Sequence, residues 1–132
     1  MAISRRTRTF SDLNLLFTTN SSTADVTKKL DEEAIKSSVK NLISTRPFER
    51  PFHPEIGSQV YALLFEPLTP TTVPVLVSTI RNTIDTFEPR VDLLNVDVRE
   101  NPDNNELDVE LRFKIRNSSN PITLKTTISR VR

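Results

Sequence analysis

The stretch ELDVELRFKIR, residues 106–116, decides the fold class of this chain. Charged side chains alternate there with apolar ones, which are Leu107, Val109, Leu111, Phe113 and Ile115. Because successive side chains of a strand point to opposite faces, this alternation predicts a β-strand with one buried face and one face in water. Such a strand is typical of an antiparallel sheet that is covered on one side only.

Two further strands are predicted on either side of this one, over residues 91–99 and 122–131. The turns between the three strands are rich in Asn and Asp, which tolerate the left-handed backbone conformation that glycine usually supplies. The C-terminal third of the chain is therefore predicted to be a three-stranded antiparallel meander.

Two main helices are predicted ahead of the meander. The first, over residues 31–44, opens on three acidic residues, which suit the positive end of the helix dipole. The second ends before Pro89 and spaces its apolar residues by three and four: Val73, Leu76, Val77, Ile80, Ile84 and Phe87. A short apolar helix is expected over residues 59–65. This order predicts an α+β fold, with the two main helices packed on the C-terminal sheet.

Residues 1–29 are predicted to form an extended N-terminal arm ahead of a domain that spans residues 30–132. The arm contains a basic cluster, Arg5, Arg6 and Arg8. It also contains an apolar patch, Leu13, Leu15, Leu16 and Phe17. A free tail with such a patch would expose it to water, so we expect the arm to dock on the domain or on a neighbouring protein.

The composition argues against most catalytic sites. The 132 residues include no cysteine, one histidine and one glycine, which excludes disulfides, thiolate zinc sites, paired imidazole ligands and glycine-rich phosphate loops. No apolar run reaches the length of a membrane span, and the N-terminus lacks the apolar segment of a signal peptide. We therefore expect no catalytic residue, metal or cofactor, no membrane contact, and synthesis in a cytoplasm.

A rigid loop is predicted over residues 46–57, because its three prolines exclude regular helix and stiffen the backbone. The candidate site residues of this rigid loop are Glu49, Arg50, Pro51, Phe52, Pro54 and Gly57. Gly57 is expected either to adopt a positive φ or to let two backbone segments approach closely.

A second charged cluster, Glu88-Pro89-Arg90, follows the second main helix. One interpretation is a helix stop with a local ion pair. The other is a docking surface, since the planar guanidinium of Arg is well suited to specific protein contacts. Two charged clusters fixed by prolines, in a chain without catalytic machinery, favour docking.

The charges are unevenly distributed along the predicted meander. Residues 97–110 contain six acids, whereas residues 112–132 contain six bases and no acid. This pattern fits either cross-strand ion pairs or a basic terminal edge offered to an acidic partner. The last strand is Thr-rich and basic, as expected of a guarded sheet edge or of a strand lent to a neighbour.

With these motifs, residues 30–132 resemble the small baseplate wedge proteins of contractile-tailed phages. This family has long been called lysozyme-like and also includes the TssE component of type VI secretion. The resemblance rests on ERPFHPEIG at residues 49–57, LLFE at residues 63–66, and Glu88-Pro89-Arg90 ahead of the strands. The long arm, with its segment from Phe10 to Phe17, is similar to the versions found in T4-like myoviruses.

The resemblance implies a noncatalytic structural role and a fold similar to the inner part of the tail-sheath subunit. It implies docking on the wedge core through Glu88, Pro89 and Arg90, and templating of the first sheath ring. Strand exchange with the sheath would use the last strand, at Ile122, Leu124, Lys125, Ile128 and Arg130. The implied partners are wedge-core subunits, the sheath protein and tail tube or hub proteins. Several copies would be present in each virion tail baseplate, which would assemble in the host cytoplasm.

Three alternatives remain at this point. The old family label suggests a muramidase that would use carboxylates such as Glu49 and Glu88. The chain could also be the equivalent subunit of a related contractile injection system. Finally, Arg5, Arg6 and Arg8 could contact nucleic acid, but three bases without interleaved aromatic residues support only weak contact with phosphates.

Overall fold

The computed structural model describes residues 10–14, 16–26, 28–101, 103–104, 106–116 and 118–129. Several residues that the sequence singles out lie outside these ranges: Arg5, Arg6, Arg8, Leu15 and Arg130. The chain divides into two compact units, Met1–Ser37 and Ser38–Arg132. The boundary expected after residue 29 stays a prediction.

The first unit contains a small two-stranded antiparallel sheet. Strand β1 (Ser11–Leu13) pairs with strand β2 (Lys28–Leu30). Next to the pair, the backbone N–H of Asp31 donates to the carbonyl of Phe10 at 2.8 Å, and the Asp31 carboxylate accepts from the Phe10 N–H at 3.0 Å. The described side chains of the apolar patch are all exposed: Leu13, Leu16 and Phe17. Docking of that patch stays a prediction.

Three helices follow in the part of the chain that the structure describes. They are α1 (Asp31–Ser44), α2 (Val60–Leu63) and α3 (Thr72–Phe87). The two main helices are confirmed, and α2 is shorter than predicted. Pro74 is tolerated in α3 because it lies in the first turn, where its missing N–H would have no partner within the helix. Within the described residues, no helix is both long and apolar enough to cross a membrane.

The second unit ends in the predicted meander. Strands β3 (Val91–Asn101), β4 (Glu106–Ile115) and β5 (Pro121–Ser129) form one sheet in that spatial order, with both pairings antiparallel. Helix α3 packs against β3 and α2. The α+β class is therefore confirmed, and β3 and β5 are the edge strands of this sheet.

The alternation predicted for residues 106–116 is confirmed, since all five of its apolar residues are buried. Leu111 lies opposite Val96 of β3 and Leu124 of β5, so the three strands present their apolar residues on one face. Burial of each such aliphatic side chain stabilises the fold by about 1.5–3 kcal/mol. The largest fully buried side chains of this unit include Phe113, Ile43, Leu64, Leu76, Ile80, Ile84, Leu107, Leu111, Ile128, Val39 and Val60.

Strand β3 contains a β-bulge that was not predicted from the sequence. Leu93 pairs with Phe113 and Asn95 pairs with Arg112, so Leu94 is an extra residue. Its side chain is 53% exposed. Without the bulge, strict alternation would turn Asn95 into the core and Val96 out of it. The extra residue keeps the polar side chain outside and the apolar one inside.

Candidate docking surfaces

The segment Glu88-Pro89-Arg90 forms the corner between α3 and β3. The N–H of Glu88 donates to the carbonyl of Ile84 at 2.8 Å and so completes the last turn of the helix. The N–H of Arg116 donates to the carbonyl of Arg90 at 3.1 Å and ties the corner to the end of β4. Backbone hydrogen bonds therefore fix both ends of this segment.

Inside the corner, Glu88 and Arg90 form a two-pronged ion pair. Arg90 Nε lies 2.6 Å from Glu88 Oε1, and Arg90 Nη2 lies 2.8 Å from Glu88 Oε2. The Ser38 hydroxyl of α1 also donates to Oε2, at 2.5 Å. Burial by itself raises the pKa of Glu88, but the hydrogen bonds from Arg90 and Ser38, together with the Arg90 charge, outweigh burial and lower it. The carboxylate is therefore stably ionised.

The local ion pair considered from the sequence is therefore present. The Glu88 side chain is only 4% exposed, so a partner could not reach it directly. The Arg90 side chain is 34% exposed and Pro89 lies at the surface. A docking partner would meet Pro89 and the outer edge of Arg90, with Glu88 holding the guanidinium in place from behind.

Backbone hydrogen bonds connect the two sides of the rigid loop at more than one position. The N–H of Ser58 donates to the carbonyl of Thr45 at 2.8 Å, and the N–H of Phe48 donates to the carbonyl of Pro54 at 2.9 Å. Arg46 stacks its guanidinium 4.5 Å from the centre of the Tyr61 ring. The prediction of an ordered loop is therefore supported by its bonding.

Gly57 allows its own backbone to approach the backbone of Arg46 and Pro47 closely. A Cβ atom at this position would lie 2.6 Å from the backbone N of Pro47 and 2.7 Å from the carbonyl carbon of Arg46. Its φ is not positive, so the first of the two expected reasons for a glycine is wrong and the second is confirmed. Two backbone segments pack against each other where the side chain is missing.

The positive φ angles of the loop fall on phenylalanines instead. Phe48 has φ 67° and Phe52 has φ 69°, and their side chains are 84% and 97% exposed. Bulky residues are rarely found in this left-handed region because of steric strain. Phe48 was not among the predicted site residues, and its only sequence signal is its place between Pro47 and Pro51.

The predicted site residues of strand β5 lie on both faces of the sheet. Ile122 and Ile128 are buried on the inner face of the sheet, Leu124 is half-buried and Lys125 is exposed. Lys125 Nζ lies 3.4 Å from a carboxylate oxygen of Glu110 on β4, so the cross-strand pairing considered from the charge pattern is present. The apolar members of this group hold the fold together. A partner would meet Lys125 and the backbone edge.

The outer face of the sheet carries a shallow hollow of about 330 Å³. Its charged side chains largely satisfy one another: Arg99 lies 2.7 Å from Asp97, and Thr127 donates to Asp108 at 2.9 Å. Nowhere in the described residues do three or more acidic or histidine side chains form a group suited to a metal ion.

The carboxylates suggested for a muramidase do not have the required surroundings. A general acid of that class needs a raised pKa, whereas that of Glu88 is lowered by its bonds to Arg90 and Ser38. Glu49 is exposed and accepts a hydrogen bond from the N–H of Arg46 at 2.8 Å. His53 is also exposed and pairs with Glu55 at 3.1 Å.

The chain is similar to known proteins in sequence and in fold. Residues 29–120 match the family model described as baseplate wedge protein gp25. The baseplate wedge protein gp25 of Enterobacteria phage T4 is 38% identical over 91 residues, which is 69% of this chain and 69% of that protein.

Two solved structures share the fold. A Geobacter sulfurreducens protein, provisionally called a tail lysozyme, superposes with a TM-score of 0.68 at 23% identity over 74% of this chain and 89% of that one. A chain of the anti-feeding prophage baseplate gives 0.65 at 19% identity over 92% of this chain and 86% of that one. At such identities these two likenesses concern the fold alone. The match to the family model and the 38% identity with the T4 protein both show that this chain belongs to the gp25 family of baseplate wedge proteins.

Proposed function

We propose that this chain is a noncatalytic subunit of a contractile-tail baseplate. It docks on the wedge core through the Glu88-Pro89-Arg90 corner and templates the first sheath ring at the edge of β5. The observation that carries the proposal is the 38% identity with the T4 baseplate wedge protein over 91 residues. We propose several copies in each virion tail baseplate, assembled in the host cytoplasm, with tail tube or hub proteins as further neighbours.

Support for docking at the corner comes from the way Arg90 is held. Two hydrogen bonds to Glu88 fix the plane of the guanidinium, while a third of the side chain stays exposed. A fixed guanidinium loses little side-chain entropy when it binds a carboxylate or a carbonyl. The exposed Pro89 beside it adds a rigid apolar contact.

A neutral double variant tests this docking without leaving a charge buried alone. Glu88→Gln with Arg90→Gln keeps two hydrogen-bonding side chains in the corner and removes both charges. We expect the variant to fold and to be lost from purified baseplates, as measured by quantitative mass spectrometry. Arg116→Gln is the control, because Arg116 is an exposed partner of Asp92 on the neighbouring strand ends. Normal incorporation of the folded double variant would refute docking at this corner.

Support for strand addition comes from the position of β5. It is an edge strand of its sheet, and the family match ends at residue 120, so this part of the proposal depends on the edge itself. Lys125 adds positive charge to that edge and lies beside Glu110. An incoming acidic strand could pair with the backbone and with this charge.

A charge swap tests the edge. Lys125→Glu should weaken sheath assembly on purified baseplates, seen by electron microscopy. The double variant Lys125→Glu with Glu110→Lys restores the internal ion pair but still changes the charge at the edge, so we expect it to stay defective. Recovery in the double variant would mean that Lys125 acts only within its own sheet.

The noncatalytic part of the proposal has its own test. We expect the purified chain to leave peptidoglycan intact, since Glu88 is buried in an ion pair and Glu49 lies in the open. Turnover that disappears with Glu49→Gln or Glu88→Gln, in folded variants, would favour the muramidase alternative.

A further inference from the structure

The tip of the rigid loop, residues 49–53, is exposed at every position. Phe52 lies within it and Phe48 directly before it, and both rings are almost entirely in water. Two exposed phenylalanines within five residues are unusual for a surface loop, because each leaves a large apolar area unburied. The docking at the Glu88 corner and at β5 uses neither ring.

The backbone holds these rings outward in a strained conformation. Both phenylalanines have φ near +70°, where glycine or asparagine would be preferred. The bond from the Phe48 N–H to the Pro54 carbonyl and the close packing at Gly57 keep the loop in this shape. Strain maintained by surrounding structure is characteristic of binding sites, since it fixes the geometry before a partner arrives.

The charges at the tip indicate the kind of partner. Glu49 accepts from the Arg46 N–H, and Glu55 pairs with His53. Arg50 is exposed, and no described residue provides it with a hydrogen bond or ion pair. Aromatic residues, including phenylalanine, and arginine are enriched in the cores of protein interfaces. Arg50 lies between the two phenylalanines in the sequence, and its exposed guanidinium fits a carboxylate at the rim of an apolar pocket.

We propose that Phe48 and Phe52 insert into an apolar pocket of another protein subunit in the same particle, with Arg50 bound to a carboxylate at the pocket rim. This inference depends on the proposed baseplate role for the identity of the particle. A nucleic acid is disfavoured because proteins that stack on bases also place several cations around them. Near the two rings, Arg50 is accompanied by two acidic residues, Glu49 and Glu55. A membrane is disfavoured for the same reason, since insertion into anionic lipid needs a basic surround.

Site-specific photo-cross-linking on intact particles tests the proposal. Benzoylphenylalanine in place of Phe48 or Phe52 keeps an aromatic ring in position and reacts with whatever lies against it. We expect both positions to give adducts with one protein, at a surface that contains apolar and acidic residues. The same probe in place of Phe65, an exposed phenylalanine outside the loop, should not give that adduct.

Competition between variants measures the contribution of the rings. Phe52→Asn and Phe48→Asn remove the ring and place a residue that tolerates a left-handed backbone, so folding should be retained. When each variant is co-expressed with the wild-type chain, we expect its share of the purified particles to fall at least tenfold, as for an interface hot spot. Phe65→Asn should compete within about twofold of wild type by the same measure.

Each other outcome overturns the inference. Adducts with lipid or nucleic acid, or no adduct in particles that contain the chain, would exclude the protein pocket and leave the proposed baseplate role intact. Equal competition by Phe52→Asn, or an equal loss with Phe65→Asn, would do the same. Absence of the wild-type chain from the particles would instead reject the baseplate role, and the proposed pocket with it.

Discussion

Glu88 and Arg90 form an ion pair whose two members are unequally exposed, so their removal has unequal consequences. Arg90→Ala leaves a buried carboxylate with the Ser38 hydroxyl and the backbone N–H of residue 90 but without its counter-charge, and we expect a loss of about 2–4 kcal/mol in the free energy of unfolding. Glu88→Gln leaves a guanidinium that water can reach, and we expect about 1–2 kcal/mol. Urea unfolding of both variants measures the difference. The reverse order would mean that Arg90 has another buried partner of greater weight.

The same pair predicts how stability depends on pH. Glu88 has a pKa below its ordinary value of 4.5, so the folded chain binds fewer protons at this site than the unfolded chain does. Its contribution is complete above pH 4.5 and is lost as the pH falls through the lowered pKa. In thermal unfolding between pH 6 and about pH 3, Glu88→Gln should flatten the acid side of the curve. Glu66→Gln, which neutralises an exposed carboxylate in the same way, is the control.

Thr126 carries a buried hydroxyl without a hydrogen-bond partner among the described residues. Valine has the same shape without the polar atom, so Thr126→Val should raise the free energy of unfolding by about 1 kcal/mol. Chemical denaturation measures it, with Thr127→Val as the exposed neighbour that should not stabilise, because it loses the bond to Asp108. A destabilised Thr126→Val would indicate that the hydroxyl is bonded in solution.

At the scale of elements, the rigid loop depends on its one glycine. Gly57→Ala brings a methyl group into backbone atoms of Pro47 and Arg46, which cannot rotate away as a side chain could. We expect a loss of about 2–3 kcal/mol, the upper part of the range for overpacking. Gln59→Ala, a nearby exposed change, should stay within about 0.5 kcal/mol of wild type. Calorimetry on both variants decides whether the close approach is as tight as the distances indicate.

The spacing of apolar residues predicted the helices and strands. It did not predict the β-bulge in β3 or the positive φ angles in the rigid loop. Both main helices and the three strands follow from apolar spacing, because burial rewards the same positions that the backbone geometry brings to one face. The bulge at Leu94 was missed because its cause is the choice between Asn95 and Val96 for the core. The left-handed angles of Phe48 and Phe52 were missed because they oppose residue preference and depend on contacts across the loop.

The candidate site was predictable only where its parts are close in sequence. Glu88 and Arg90 are two residues apart, so their pairing could be considered from the sequence. Ser38 donates to Glu88 from fifty residues away, and no local pattern indicates that contact. The faces of β5 could be assigned from alternation, which places Ile122 and Ile128 in the core and Lys125 on the opposite, exposed face.

At the scale of the whole molecule, the two edges of the meander differ. β5 is regular, whereas β3 is interrupted at Leu94. Deleting Leu94 should restore strict alternation and give β3 a continuous edge, which exposed backbone groups of a second copy could pair with. We expect self-association of the deletion variant in analytical ultracentrifugation, whereas Leu94→Ala, which keeps the bulge, should sediment as wild type does. Identical sedimentation of the two variants would show that the bulge does not protect this edge.

The bulge also makes the two edges of the sheet unequal. A sheet that is regular at one edge and interrupted at the other accepts an added strand on one side and resists it on the other. If subunits of a polymer are joined by strands added at a regular edge, as proposed for β5, a chain with one such edge would lie at the end of the polymer. Further subunits would then be added only on the β5 side. The direction of growth would depend on the bulge at Leu94.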